Sequence, residues 1–392
     1  MVRLLHTADW HLGRTLEGRD RLPEHEAFID ELVTIARDED VDAVLIAGDI
    51  YDSVNPPAAS EALFYESLAR LSEGGKRPIV IISGNHDHPD RLAAAQKLAE
   101  AQEITIVGTP SLTPVRIPIR AKDTVLNVAP LAYPSESRLN ECLSDQGEEE
   151  LILEAYDERV RRMFQQMSAS FSEKEVNVAM SHLFVAGGKA TESERPIEVG
   201  GTYTVRATSM PENVQYVALG HLHRPQEVKH APTPTRYSGS PLAFSFSEAG
   251  YSKSVTIVDV EPGKPAETKD IPLSSGFPLV RWKATDGLPQ IHQWMDEGRD
   301  KQAWIDIELH TDHSPSMEDI HQLRKAYPGI VTIRPVFPED ETREKVVSSR
   351  DVPIDELFRQ FYSRQTGGSK PEDELVDLFL DIVNETETEE GD

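Results

Sequence analysis

Pro78-Ile79-Val80-Ile81-Ile82-Ser83-Gly84-Asn85-His86-Asp87 is a continuous apolar run that ends in a cluster of small, polar and metal-capable residues. An apolar run of this kind, ending in turn residues, reads as a strand. The same pattern recurs on either side of it. Val2 to Leu5 leads to Asp9 and His11, and Ala43 to Ala47 leads to Gly48 and Asp49. Val176 to Met180 leads to Ser181 and His182, and Val214 to Leu219 leads to Gly220, His221, Leu222 and His223. In an α/β sheet the carboxyl ends of the strands share one edge, where such proteins place their ligands. The fold class is therefore α/β, and the five segments are expected to converge on one site.

The residue types at those ends suit metal ions. Carboxylates, one amide oxygen and several imidazoles form a mixed hard and borderline donor set, which fits Mn, Fe or Zn better than Ca or Mg. Asp9, His11, Asp49, Asn85, His182, His221 and His223 are too many for a single ion. They match two ions about 3.5 to 4 Å apart that share a carboxylate, for which Asp49 is the candidate bridge. Two ions so placed stabilise both oxygens of an in-line displacement at phosphorus. His86, next to Asn85, is then left to act as general acid or to stabilise phosphate charge. An isolated Asp-x-His or Gly-Asp carries little weight, because surface loops produce such pairs by chance. The ordered series of five is specific. His25, His230, His292, His310, His313 and His321 lie away from strand ends and read as surface residues, whereas His6 and His88 are candidates for contacts that support the ligands.

This series resembles the calcineurin-like metallophosphoesterase superfamily, and Thr7-Ala8-Asp9-Trp10-His11-Leu12-Gly13-Arg14 resembles its DNA nuclease branch. Gly48-Asp49-Ile50-Tyr51-Asp52, Gly84-Asn85-His86-Asp87, Ser181-His182-Leu183-Phe184-Val185, Gly220-His221-Leu222-His223 and Tyr237-Ser238-Gly239-Ser240-Pro241 are similar to the SbcD family of bacterial nuclease subunits. The resemblance runs over about residues 1 to 385 and is most specific before residue 245. It implies an α/β/β/α sandwich with a small α+β capping domain and C-terminal docking helices. It further implies one ion held by Asp9, His11, Asp49 and His223, and a second held by Asp49, Asn85, His182 and His221. Manganese is the expected metal, and His86 is implied to be catalytic and unligated. Asp52, Asp87 and His88 are candidates for supporting contacts. Archaeal and eukaryotic relatives carry a His where this chain has Asp52, and that His is linked there to exonuclease action, so the role of Asp52 is open.

Composition sets further limits. The chain has 392 residues, enough for two or three domains, and 38% hydrophobic content supports a sizeable core. No apolar run approaches 18 residues, so no membrane span is expected, and strand-like sequence directly at the amino terminus leads to the expectation that the chain is not secreted. Cys142 is the single cysteine, consistent with a reducing, cytoplasmic setting. The formal charge of -28 excludes a broad basic surface. Part of that charge is local, since residues 371 to 392 hold ten acids and no base. DNA would therefore be held by a limited basic patch, by the metals and by a partner. High acid content beside low Lys also fits salt adaptation, which easier unfolding in molar KCl would contradict.

The expected organisation is a nuclease domain over 1–260, a Pro-rich and polar linker over 261–278, a capping domain over 279–345, docking helices over 352–385 and an acidic tail over 386–392. In the first domain, helices are predicted at 24–37, 57–72 and 90–101; in the SbcD family, the second and third positions contribute a homodimer contact. The capping region reads β-α-β-α-β, with Arg281, Lys283, Arg324, Lys325 and Arg334 as candidate DNA contacts. Ile354, Leu357, Phe358, Phe361 and Tyr362 form one helical stripe, and Leu375, Leu378, Phe379, Ile382 and Val383 form another. Each helix is near the lower limit of stability alone and needs a surface to cover it. The resemblance implies that this surface is the coiled-coil base of an SbcC-type ATPase, in a heterotetramer built on a homodimer. The chain itself has no Gly-x-x-x-x-Gly-Lys-Ser/Thr loop. The function expected is two-metal hydrolysis of DNA in recombination and repair, as 3′–5′ duplex exonuclease and single-strand or hairpin endonuclease. The alternatives are a stand-alone phosphoesterase acting on nucleotides or phosphoproteins, and a scaffold with a vestigial site.

Overall fold

The computed structural model describes residues 1–145, 155–195 and 203–337, together with isolated positions between 355 and 379. The strands are β1 (Val2–Thr7), β2 (Ala43–Ala47), β3 (Ile79–Ile82), β4 (Ile104–Val107), β5 (Val115–Ile119), β6 (Thr124–Leu131), β7 (Val176–His182), β8 (Phe184–Val185) and β9 (Thr204–Val205). They continue with β10 (Tyr216–Gly220), β11 (Gln226–Glu227), β12 (Thr235–Tyr237), β13 (Ser254–Val260), β14 (Glu267–Pro272), β15 (Leu279–Ala284), β16 (Trp304–His310) and β17 (Ile330–Val336). One six-stranded sheet has the order β14-β13-β1-β2-β3-β4 and a second has β11-β12-β10-β7-β6-β5. Strands β1 to β4 are mutually parallel, as are β6, β7, β10 and β12, with antiparallel strands at the edges.

The apolar runs are continuous because both faces of each sheet are covered. Side chains alternate along a strand, so Leu4, Leu45, Val80 and Ile82 meet Val128, Val178, Met180 and Ala218 of the other sheet in one core between the sheets. Their neighbours Leu5, Val44, Ile46, Ile79 and Ile81 face outward, against helices α1 (Leu22–Asp38) and α2 (Ala58–Ser72). On the far side, Ala129, Leu131, Val217 and Leu219 pack against α5 (Glu136–Asp145) and α6 (Tyr156–Ser168). The layers are α/β/β/α. Between these helices the stretch predicted as one helix at 90–101 forms two short ones, α3 (Pro89–Ala93) and α4 (Gln96–Ala99), followed by a 3₁₀ turn at Glu100–Gln102.

Residues 261–278 are not a linker without regular structure. Glu267–Pro272 is β14, an antiparallel edge strand on β13, with Val258 opposite Thr268 and Val255 opposite Ile271. Its side chains are almost all exposed, so the strand carries no apolar alternation for a sequence reading to detect. A further correction concerns His25, which is fully buried. It lies three, four and seven residues before Phe28, Ile29 and Leu32 on the inward stripe of α1, a placement that helical periodicity dictates. Of the other histidines read as surface residues, His230, His292, His313 and His321 are exposed and His310 is half-buried.

The region beyond β14 has the expected β-α-β-α-β order, with β15, α7 (Leu288–Asp296), β16, α8 (Met317–Ala326) and β17. Its three strands form a sheet around their own core of Trp282, Ile291, Ile305, Ile307 and Leu323. The chain divides into two compact units, residues 1–309 with 316–334 and residues 310–315 with 335–392, so most of this region belongs to the same unit as the sandwich. Within that unit, Trp304 Nε1 donates to Glu24 Oε2 of α1 at 2.9 Å. In the second unit, Leu357, Phe358, Tyr362, Leu375, Leu378 and Phe379 are helical, and Phe358 stacks on Phe379 with ring centroids 4.2 Å apart. Ile354, Phe361, Ile382 and Val383 lie outside the described residues.

Candidate metal centre

The parallel strands of both sheets bring their carboxyl ends together, and the backbone just past those ends is bent sharply. Asp9, His11, Asp49 and His221 have positive φ, at 55°, 45°, 51° and 102°. Non-glycine residues rarely adopt such conformations, which cost about 1–3 kcal/mol each and persist where surrounding structure over-determines them. Here the loops after β1 and β2 are zipped together: Asp9 N donates to Gly48 O at 3.0 Å, His11 N to Asp49 O at 3.0 Å, and Leu12 N to Ile50 O at 2.9 Å. The Asp87 carboxylate ties in the β3 loop by accepting from Ile50 N, Tyr51 N and Gly84 N at 3.2, 3.0 and 2.8 Å. Gly48 and Gly220 let the two sheet edges meet. A Cβ on Gly48 would lie 2.4 Å from His182 Nδ1, and one on Gly220 would lie 1.9 Å from Ala47 O.

Two groups of candidate ligands share Asp9: one with His11 and His223, the other with Asp49 and His182, the ligand atoms in each group lying within 4.8 Å of one another. His11 Nε2 and His223 Nε2 are 3.0 Å apart, and His11 Nε2 is 3.6 Å from Asp49 Oδ2. On the other side, His182 Nε2 is 3.4 Å from the same Asp49 oxygen and 2.9 Å from Asn85 Oδ1. Asp49 thus stands between the two sets. His221 is buried, with its ring centroid 5.5 Å from that of His182, and its backbone N donates to Asp9 Oδ1 at 2.9 Å. Ring orientation comes from outside the cluster. His182 Nδ1 donates to Ala47 O at 2.9 Å, which leaves Nε2 with its lone pair.

His86 is held from two directions. Its backbone N donates to Asp49 Oδ1 at 2.8 Å, and its Nδ1 donates to the Asp52 carbonyl at 2.7 Å. The ring stands edge-on to His11, with centroids 4.7 Å apart. Asp52 also brings its carboxylate within 3.6 Å of His11 Nδ1 and 3.7 Å of Arg14 Nη1. Asp87 serves the loops rather than the ligand cluster, and His88 caps α3 by accepting from Arg91 N at 3.4 Å. His6 lies within β1, where Nδ1 bonds to Tyr216 Oη at 2.9 Å.

The electrostatics fit a cationic occupant. Burial pushes the Asp9 carboxyl up to about 8; His182 opposes this and Asp49 adds to it. Burial lowers His11 and His223 well below the ordinary imidazole range and takes His221 to about 3. Burial would also lower His182, but Asp49 outweighs it and raises this ring to about 9; Asp49 is in turn held well below its ordinary range, against its own burial, by His182. The neutral imidazole is the ligating form, and burial favours it at His11, His221 and His223, whereas at His182 and Asp49 the buried pair supplies a charge balance that a cation would otherwise provide. His11 Nδ1 and the Asn85 amide Nδ2 are buried without hydrogen-bond partners among the described residues. The oxygens of Asp9, Asp49 and Asn85 with the ring nitrogens of His11, His182 and His223 form a mixed donor set that suits divalent metal ions.

Several residues that touch this cluster carry no strand-end signal. Ser193 Oγ lies 2.5 Å from His223 Nδ1, and Glu194 Oε1 accepts from His223 N at 2.8 Å. Lys253 Nζ donates to His223 O at 3.1 Å and Ser240 Oγ at 2.8 Å, and pairs with the buried Glu248. Phe244 packs edge-on to His11 and His223, with Arg14 over its ring at 4.9 Å. These contacts come from loops distant in sequence, so spacing could not reveal them.

Residues 2–225 match the calcineurin-like phosphoesterase family, and residues 277–366 match a domain described as the type 5 capsule protein repressor C-terminal domain. Along its whole length the chain is 54% identical over 390 residues to a Bacillus subtilis protein named as the SbcD component of the nuclease SbcCD, covering 100% of both chains. The chain belongs to the SbcD family. Other SbcD proteins show how far the likeness extends. The one from Rhodobacter capsulatus is 36% identical over 309 residues, 75% of each chain, and the one from Escherichia coli K12 is 27% identical over 400 residues, 98% of each chain. The SbcD likeness thus spans both the sandwich and the region beyond β14.

Proposed function

We propose that this chain is the nuclease subunit of a DNA-processing complex and hydrolyses phosphodiester bonds with two divalent ions, manganese being the expected metal. The observation that carries this reading is the meeting of the buried Asp9, His11, Asp49, His182 and His223 with the half-buried Asn85 around one shared carboxylate, with His86 beside it. Asp9, His11, Asp49 and His223 would hold one ion, and Asp49, Asn85, His182 and His221 the other. Bound there, the ions supply Lewis acidity toward a phosphodiester and acidify a water molecule. The chain supplies the rest. His86, with Nδ1 engaged by the Asp52 carbonyl, has Nε2 as the atom that gives or takes a proton. Asp49 fixes the His86 backbone by accepting the hydrogen bond from its N.

The partners proposed are DNA, an SbcC-type ATPase with a coiled coil, and a second copy of this chain in a heterotetramer. Full-length identity to a protein named as part of SbcCD supports the first two. Tyr65 on α2 is 41% exposed and Leu98 on α4 is 79% exposed, which supports a homodimer contact on those helices. Leu378 is 56% exposed on the second of the C-terminal stripes, in keeping with docking by Leu357, Phe358, Tyr362, Leu375, Leu378 and Phe379. The capping region offers fewer cations to DNA than its sequence implies. Arg281 and Arg334 pair with Asp306, Lys283 with Glu308, and Arg324 Nη2 donates to Val331 O at 3.0 Å. No helix among the described residues is long and apolar enough to cross a membrane; the proposed location is the cytoplasm and the proposed role recombination and repair, with 3′–5′ exonuclease and hairpin endonuclease action. The test is manganese-dependent cleavage of end-labelled hairpin DNA beside a small phosphodiester, with and without the ATPase. Turnover of the small ester alone would replace this reading with a stand-alone phosphoesterase.

A further inference from the structure

Beside the candidate metal centre lies a cavity of about 350 Å³ lined by Tyr133, Pro134, Ser135, Glu136, Tyr156 and Tyr203. Its place follows from strand register. Strands β6 and β7 are parallel with Leu131 opposite Ser181, so the loop after β6 begins level with His182. Tyr133 meets the His182 ring edge-on with centroids 6.3 Å apart, and its backbone N donates to Ser83 O at 2.9 Å, two residues before Asn85. Tyr203 immediately precedes β9, which pairs with β8 directly after His182 and Leu183. Tyr156 opens α6 and meets Tyr203 edge-on at 5.4 Å. Three elements thus bring three phenol rings to a concavity at the rim of the metal cluster.

The rings are not simply core. Tyr133 and Tyr203 are only half-buried, unlike Tyr156. Tyr203 Oη donates to Glu136 Oε2 at 3.1 Å, and Glu136 is held in turn by Arg159 Nη2 at 3.1 Å, so this wall is braced. Arg138 stands 5.8 Å from the centre of the Tyr133 ring, and its Nη1 is buried without a hydrogen-bond partner among the described residues. Aromatic faces next to a phosphodiester-cleaving centre suit a planar, uncharged group attached to the phosphate. Stacking also solves a problem of this chain, because it gains affinity for a nucleic acid without positive charge, and the chain carries a formal -28.

We infer that this tyrosine-lined cavity takes the nucleobase adjoining the scissile phosphate of a DNA strand, stacking it on Tyr133 and Tyr203 beside the Arg138 guanidinium. The inference rests on the nuclease reading. The test uses the full-length chain with manganese and single-stranded oligonucleotides whose nucleotide on either side of the cleaved bond is 2-aminopurine or abasic. The native chain is expected to favour the base-bearing strand roughly 5- to 150-fold in kcat/KM. That ratio should persist in Tyr133→Phe and Tyr203→Phe and fall toward unity in Tyr133→Ala and Tyr203→Ala. A loss of folded protein lowers both substrates alike and leaves the ratio unchanged, so the ratio isolates stacking. An equal ratio in the native chain and both Ala variants overturns the proposal while leaving the nuclease reading intact. If neither oligonucleotide is cleaved, ring-dependent quenching of 2-aminopurine fluorescence on binding still supports the cavity, and the nuclease reading is what fails.

Discussion

Ser193 Oγ lies 2.5 Å from Nδ1 of His223. With Nδ1–H given to that hydroxyl, Nε2 keeps the lone pair that a metal ligand needs. Ser193→Ala should therefore weaken manganese binding about 10- to 100-fold, read by calorimetry or by the electron paramagnetic resonance of added Mn²⁺, with Ser193→Thr retaining most of the affinity. Unchanged affinity in the alanine variant would remove Ser193 from the site.

His86 is tethered to Asp49 through a hydrogen bond from its backbone N, so its imidazole can be removed without breaking that tether. His86→Ala should lower kcat on DNA about 10²- to 10⁴-fold while manganese still binds. Retained cleavage with metal bound would show that the proton is handled elsewhere.

Removal of metal should destabilise the fold. Asp9 and Asp49 are both buried and repel each other, and a ligand that binds only the folded state adds about 2.7 kcal/mol at a hundred times its Kd. EDTA should lower Tm and manganese should restore it, and Asp49→Ala should abolish the difference. A melting curve indifferent to EDTA in the native chain would contradict the two-ion reading.

The buried Lys253 and Glu248 form a pair whose members need each other. Lys253→Met should cost about 3–5 kcal/mol in urea unfolding because Glu248 is left charged and unpaired, and Lys253→Met with Glu248→Gln should cost less than the single change. Equal losses in both would mean that packing, not charge, sets the effect.

Stability should fall in mild acid through two buried histidines outside the candidate ligand set. Burial pushes His25 down to about 4 and His6 to about 3. Both values lie below the unfolded one near 6.5, so below that pH the unfolded chain binds more protons. The stabilisation is complete above about pH 6.5 and is lost as pH falls through the window down to about 4 and 3, at up to about 1.4 kcal/mol per pH unit per group. His25→Leu should flatten the pH dependence of unfolding between pH 6.5 and 4.5; an identical slope would show that His25 takes up its proton alike in the folded and unfolded chain.

What the sequence determined by itself is the α/β alternation and the candidate ligands, because strand ends are local and each ligand sits within a few residues of an apolar run. Helical periodicity held enough information to bury His25 as well, since it shares a stripe with Phe28, Ile29 and Leu32. Strand β14 was hidden because an exposed edge strand is held by backbone bonds to β13, and backbone bonds leave no mark on side-chain choice. Only the tertiary structure decided which oxygen Asp49 shows to which histidine, and which residues steady the rings: Ser193, Glu194 and Lys253 reach His223 from loops separated from it by about thirty residues on each side. Tyr133 stands beside His182 for the same reason. Their nearness depends on the parallel pairing of β6 with β7 and on the bond from Tyr133 N to Ser83 O just past β6, and such pairing is fixed by the packing of both sheets together rather than by any short stretch of chain.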